Sequence, residues 1–365
     1  MAAPVPHRRR RHADEGVGLQ APVVVKLGTG LIVGSGGLVR RSLVRARARE
    51  LAELVRAGRP VCVVSSGAIA LGLPKLGLTS RPRRVPKLQA ASALGQARLQ
   101  GVWEEALARE GVQAAQILLA AGDIADRAAY VNVRRALDEL FRLGAVPVVN
   151  ENDATATDEI TFGDNDALAA QVAVLVRAAL LVLLTEVAGV YSRAPGTPGA
   201  ELLAEGAGAG DAELGSGTAL GRGGMQSKVL AAEMASAAGI PTVIAAGQGE
   251  EVLGPIVAGE GRGTRFAPGE RDESAFKLWL RYGKPVGGRL HLDEGAKRAV
   301  AEQGASLLGV GVVRCDGSFE PGAGVELVGP DGHVFAKGIA GAGSAEVSER
   351  TRGLEVVHRD RLVLY

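Results

Sequence analysis

From residue 21 the chain alternates short apolar runs with longer segments of helical periodicity. "PVVVKL" (22–27), "RPVCVV" (59–64), "AAQILL" (114–119), "AVPVV" (145–149), "LLVLLT" (180–185) and "PTVIAA" (241–246) are the short runs. They show little polar alternation, the pattern of strands buried on both faces. Between them, 38–57 carries Val39, Leu43, Leu51, Leu54 and Val55 at helical spacing and stops at Gly58. The same pattern predicts helices over 86–110, 129–143, 165–178 and 225–238, with Gly111, Gly144 and Gly239 as stops and Asp164 as a helix N-cap. Regular alternation of strand and helix predicts an α/β fold, a mostly parallel sheet flanked by helices on both faces. Such sheets bind ligands outside the carboxyl ends of their strands. The polar clusters "KLGTG", "SSGA", "NEND" and "TEVAG" all fall at those ends.

The pattern changes near residue 270. After the charged stretch "APGERDES" come short strand-like pieces separated by glycine, from "RLHL" to "RLVLY". They predict a small β-rich domain. The expected organisation is a disordered extension over 1–20, a catalytic domain over 21–268, a linker over 269–284 and a β-barrel-like domain over 285–365. The Gly- and Ala-rich stretch 196–224 reads as a mobile loop or flap.

Composition narrows the function. Aromatic residues are only 3% of the 365, so Ala, Val and Leu must fill the core. The formal net charge of +2 is accounted for by Arg8–Arg11 against Asp14 and Glu15, and the rest of the chain is neutral. A broad basic face for nucleic acid is therefore not expected. The two cysteines, Cys62 and Cys315, form neither a disulfide framework nor a metal-ligand spacing. No apolar run reaches the length of a membrane span, and the N-terminus lacks the apolar stretch of a signal peptide. The expected location is the cytoplasm.

Four segments carry candidate chemistry. "VVVKLGTGLIVGSGG" delivers Lys26 and then Gly28, Gly30 and further glycines before a helix, a turn whose N–H groups can cradle phosphate. "GRGGMQSK" (221–228) brings Lys228 close to a helix N-terminus, and "SSGA" (65–68) allows close approach of a ligand. Each of these, taken alone, also reads as an ordinary turn or helix start. The fourth is "NENDATATDEITFGDND", in which Asn150 to Asp166 holds six carboxylates and three asparagines. Acids so dense repel unless they meet cations or solvent. Two lysines from two glycine loops, with Mg²⁺ and a nucleotide, would supply cations. An amino-acid substrate would bring an ammonium group. Phosphoryl transfer asks the protein mainly for positioning and positive charge.

"VVVKLGTG", "VVSSGAIALGLPKLGL", "LQAASALGQARL", "ILLAAGDIADRAAYVN", "VPVVNENDATATDEITFGDNDALAAQVA", "LLVLLTEVAGVY" and "GRGGMQSKVLAAEMASAAGIPTVIAAG" occur in the order found in the glutamate 5-kinases. This is a family of the amino acid kinase superfamily, and the resemblance spans about residues 21–265. The C-terminal part, "GGRLHLDEGAKRAVAEQGASLLGVGVVRCDGSFEPG" through "VVHRD", resembles the PUA domain. The resemblance implies transfer of phosphate from ATP, with Mg²⁺, to the γ-carboxylate of L-glutamate, the first step of proline synthesis. It implies that Lys26 and Lys228 bind phosphates and that Asp166 orients both lysines. Ser66, Asn150, Asp153, Asp164 and Asn165 would hold glutamate. Gly28, Thr185, Glu186, Arg222, Gly223, Gly224, Met225, Gln226, Ser227 and both lysines would face the nucleotide. No protein ligand to Mg²⁺ is assigned, the ion being held mainly by nucleotide phosphates. A homo-oligomer (dimer or tetramer) and feedback inhibition by proline are further implications.

Departures from the family pattern lie on the nucleotide side. Glu186 follows Thr185 where the family has aspartate, Ala188 replaces an acid, and Ala194-Pro195 stands for Asp-Pro. The segment after 270 shows no interleaved basic and aromatic cluster, which argues against nucleic acid as a partner. Two other readings remain open at this point. One is a kinase of the same fold acting on another small carboxylate, such as aspartate or N-acetylglutamate. The other is a catalytically decayed nucleotide-sensing or RNA-binding regulator.

Overall fold

The computed structural model describes residues 20–120, 123–124, 126–155, 165–206, 224–270, 275–284, 286–348 and 353–365. The expected disordered extension over 1–20, all but its last residue, and most of the expected flap, 207–223, lie outside them.

Seven strands form the first sheet: β1 (Val23–Leu27), β2 (Val61–Ser65), β3 (Ala114–Leu119), β4 (Val146–Glu151), β5 (Leu180–Thr185), β6 (Thr242–Ala246) and β7 (Thr264–Phe266). Their order is β3-β4-β2-β1-β5-β6-β7. All neighbours pair in parallel except β7, which runs antiparallel to β6. The first six match the sequence expectation to within two residues at either end. Strand β7 was not anticipated, since three residues are too few to show a period.

The central strands are buried on both faces, as their unbroken apolar character requires. In β1, Val24 packs into one core, while Val23, Val25 and Leu27 pack into the other. Between the strands run α1 (Thr29–Ile32), α2 (Arg41–Arg56), α3 (Ala68–Gly72), α4 (Val85–Arg109), α5 (Arg127–Arg142), α6 (Asn165–Val176), α7 (Met225–Ala237) and α8 (Leu253–Val257). Helix α6 is buried throughout from Leu168 to Val176. A helix apolar all round must be covered on every side. The sheet covers one side. On another lies α9 (Ala275–Leu278), which continues as a single π-type turn over Trp279–Gly283. Leu278, Trp279 and Leu280 join the same core as α6 and α7.

That turn also touches the second sheet, formed by β8 (Val286–Leu292), β9 (Leu307–Leu308), β10 (Val312–Asp316), β11 (Gly324–Val328), β12 (Val334–Ala340) and β13 (Glu355–Leu364). Its order is β10-β8-β11-β12-β13-β9, mostly antiparallel, around its own core. The β-rich expectation holds, with two helices added: α10 (Glu294–Gln303) and the short α11 (Ser344–Ser348). Asp293 caps α10, accepting from Ala296 N–H at 2.7 Å, and Gly304 closes it at φ 61°.

Lys337 on β12 is buried, and its ammonium donates to the Arg281 carbonyl at 3.2 Å. Burial lowers its pKa from 10.5 to about 8. Below pH 8 both folded and unfolded states carry the proton, and the burial penalty is felt in full. Between about 8 and 10.5 the folded state has lost a proton that the unfolded chain keeps, so stability rises with pH. Lys337→Met is expected to raise the melting temperature at pH 7 and to flatten its rise above pH 8. Melting curves from pH 6.5 to 9.5 test this, and parallel profiles for the two proteins would refute it.

Candidate active site

The site assembles where β1, β2, β4 and β5 end. Lys26 is the second-last residue of β1, in register with Val64 of β2 and Leu183 of β5. Its side chain is buried, and Nζ lies 2.5 Å from Asp166 Oδ1. Asp166 is in the first turn of α6 and fully buried. Its other oxygen, Oδ2, meets Lys228 Nζ at 3.0 Å. Ser227 Oγ lies 2.9 Å from both Asp166 Oδ2 and the Gly224 carbonyl, and so ties the start of α7 to the start of α6. Three segments from distant parts of the chain thus meet on one carboxylate. Two ammonium groups are thereby gathered on one carboxylate in a poorly solvated place.

The glycine turn after β1 lies beside this centre. Gly28 precedes α1 in extended conformation, close to the Lys26 ammonium. Gly30 faces the Glu186 carboxylate: a Cβ there would come within 2.4 Å of it, so a side chain at position 30 would push that carboxylate aside. Glu186 follows Thr185 at the end of β5, and Gly247 N–H bonds the Thr185 carbonyl at 2.7 Å. The Glu186 carboxylate therefore reaches over the turn. Gly224 caps α7 in extended conformation, and Met225, Gln226 and Ser227 form its first turn. Arg222 and Gly223 lie outside the described residues.

A second polar group sits on the other side of β1. Asn165 Nδ2 donates to Ser66 Oγ at 2.8 Å and to Asn150 Oδ1 at 3.0 Å. Ser66 follows β2, and Gly67 at φ 116° makes the sharp entry into α3, a conformation that L side chains rarely adopt. Asn150 is the second-last residue of β4, which is buried to its end at Glu151, and Asp153 lies just beyond. Ser66, Asn150 and Asn165 are thus brought into one hydrogen-bonded group. Asp164, Asp158 and Glu159 lie outside the described residues.

Sequence reasoning assigned no role to α4, yet it supplies the backing of this group. Gln96 Oε1 accepts from Asn150 Nδ2 at 2.7 Å, and Ser92 Oγ donates to Asp153 Oδ2 at 2.5 Å. The signal was present in "LQAASALGQARL", where two polar residues stand four apart on a face that is otherwise buried. A second unforeseen pair is Arg47 with Glu50 on α2, joined at 2.9 Å and buried. Arg47 donates to the Gly249 carbonyl at 2.6 Å, while Glu50 accepts from the N–H groups of Val252 and Leu253. The pair clamps the loop that follows β6. Burial pushes the Glu50 carboxyl up, and the Val252 N–H and Arg47 pull it back down.

A buried lysine–aspartate–lysine bridge thus stands at the carboxyl end of a parallel sheet, beside a glycine turn. Residues 21–246 match the amino acid kinase family, and residues 288–361 match the PUA domain. The chain is 41% identical to the glutamate 5-kinase of Geobacter sp. (strain M21), over 94% of this chain and 97% of that one. It is 45% identical to the glutamate 5-kinase of Gloeobacter violaceus, over 93% of this chain and 98% of the other, and 44% identical to that of Pseudomonas entomophila, over 93% and 97%. The chain belongs to the amino acid kinase family and, within it, to the glutamate 5-kinases.

Proposed function

We propose that this protein transfers the γ-phosphoryl group of ATP to the side-chain carboxylate of L-glutamate, giving ADP and L-glutamyl 5-phosphate, the first step of proline biosynthesis. The observation that carries this reading is the buried Lys26–Asp166–Lys228 bridge beside the Asn150–Asn165–Ser66 group. The first offers positive charge to a moving phosphoryl group. The second offers amide and hydroxyl groups to a small polar substrate.

The chemistry needs no general base. The glutamate γ-carboxylate is ionised at neutral pH and attacks the γ-phosphorus as it stands. The protein's task is to hold the two reactants in line and to meet the charge that develops on the transferring group. Lys26 and Lys228 would do the latter, each fixed by Asp166 so that neither has to reorient during the step. Gly28, Gly30 and the start of α7, from Gly224 to Lys228, would receive the nucleotide phosphates, with Thr185 and Glu186 alongside. Ser66, Asn150, Asp153 and Asn165 would hold glutamate. Mg²⁺ fits this arrangement as an ion carried in on the phosphates: both Asp166 oxygens are already engaged by the lysines. It supplies neutralisation of phosphate charge.

The same reading takes residues 21–268 as the catalytic domain and 285–365 as the PUA domain, joined by 269–284. It carries a homo-oligomeric state, proline as feedback inhibitor and a cytoplasmic location from the family resemblance. Among the described residues, no helix is long and apolar enough to cross a membrane.

Hydroxylamine traps an acyl phosphate as a hydroxamate, so the test is hydroxamate formation from ATP, Mg²⁺ and glutamate, beside aspartate and N-acetylglutamate. Glutamate is expected to be the substrate used. Formation from aspartate alone, or none from any of the three at saturating nucleotide, would overturn the reading. Asp153→Ala is expected to raise the KM for glutamate about 10–100-fold with little change in that for ATP, as loss of a charged hydrogen-bonding partner does. An unchanged KM would remove Asp153 from the substrate site.

A further inference from the structure

The group that would hold glutamate is braced by one face of α4. Ser92, Gln96 and Trp103 stand at helical spacings of four and seven residues. Ser92 bonds Asp153, Gln96 bonds Asn150, and Trp103 Nε1 donates to Ser65 Oγ at 2.9 Å. Helix α4 is seated hard against α3. A Cβ on Gly72 would lie 1.8 Å from the Ala91 carbonyl oxygen, and one on Gly95 would lie 1.8 Å from that of Ala68. The two backbones are in direct contact, so the brace cannot drift.

A carboxamide has an accepting end and a donating end, and a chain of them has a direction. Gln96 presents Oε1, so Asn150 turns Nδ2 towards it. Asn150 Oδ1 then faces Asn165, which answers with its own Nδ2 and shares it with Ser66. What remains is Asn165 Oδ1. It is buried and, among the described residues, has no hydrogen-bond partner. A buried acceptor left unpaired is costly unless a ligand completes it.

We infer that Gln96 is a positioning residue that sets the direction of the Gln96–Asn150–Asn165 amide chain, so that Asn165 offers an acceptor to the α-ammonium group of the substrate. This rests on the proposed glutamate kinase reading. A donor at position 96 would reverse the chain and present an amide N–H to that ammonium instead. Gln96 makes no contact with substrate in this account. It acts through two asparagines.

The test compares Gln96→Glu, which keeps an acceptor, with Gln96→Leu, which has none. Each is measured for glutamate KM, ATP KM, kcat and the inhibition constant of glutarate, which has both carboxylates and no ammonium. Gln96→Leu is expected to raise the glutamate KM about tenfold or more, while the glutarate constant, ATP KM and kcat stay within about twofold. Gln96→Glu is expected to stay within about threefold of wild type throughout. Equal losses for glutamate and glutarate in Gln96→Leu would show mere packing and overturn the inference, as would equal losses in Glu and Leu variants. Absence of glutamate turnover in the wild-type protein would instead overturn the kinase reading, and this inference with it.

Discussion

Asp166→Ala is expected to destabilise the protein by about 3–5 kcal/mol and to lower kcat by at least ~100-fold. The reason lies in what remains. Lys26 and Lys228 are 2% and 6% exposed, and both lean on this one carboxylate. Without it, both ammonium groups lose a shared counterion in a poorly solvated place. They must then move apart, lose protons or open the structure to water, and each outcome spoils their aim at the phosphoryl group. Asp166→Asn keeps the shape and some hydrogen bonding but not the charge, and should fall between. Nucleotide adds a sharper criterion. ATP brings the missing negative charge, so MgATP should raise the melting temperature of Asp166→Ala by more than it raises that of the wild type. A variant melting within a degree or two of wild type, with normal kcat, would show that the bridge is neither structural nor catalytic.

The second large effect is steric. Gly95→Ala is expected to cost about 2–3 kcal/mol and to raise the KM for glutamate. The added methyl would stand 1.8 Å from the Ala68 carbonyl oxygen, which is backbone and cannot rotate away. Helix α4 must then retreat from α3, taking Ser92 and Gln96 away from Asp153 and Asn150. Gly101 is the control. It lies in the same helix with open space around its Cα, so Gly101→Ala should stabilise by about 0.5–1 kcal/mol and leave KM alone. If Gly95→Ala instead behaved like Gly101→Ala, the close seating of the two helices would be wrong.

Much of the fold was legible because buried parallel strands are written as apolar runs, and β1, β2, β4, β5 and β6 are of that kind; the edge strand β3 is mostly half-buried or exposed yet still reads as apolar. The helices α2, α4, α5 and α7 showed their glycine stops and their periodicity. What escaped is short or atypical. The helices α1 and α3 span four and five residues, too few for a period to show. Helix α9 and its π-type turn lie in a stretch whose charge and proline suggested only a linker, and Trp279 gains its place from the core it enters. Helix α10 carried a cap and a glycine stop, but it buries little beyond Val300, so its apolar stripe was faint.

The sequence by itself determined which residues had to be near strand ends, since the polar clusters follow the apolar runs directly. It also determined, through motifs in a fixed order, the family and hence the expected chemistry. It could not say that Asp166 faces Lys26 and Lys228, because that contact joins residues 62 or more positions apart through the crossing of β1, α6 and α7. Nor could it show the direction of an amide chain. Gln96 and Asn150 are ordinary residues until the backbone contact of Gly72 and Gly95 brings α4 within hydrogen-bond reach of β4. Local propensity decides elements, but charge pairing and donor–acceptor order depend on distances that only the packed chain fixes.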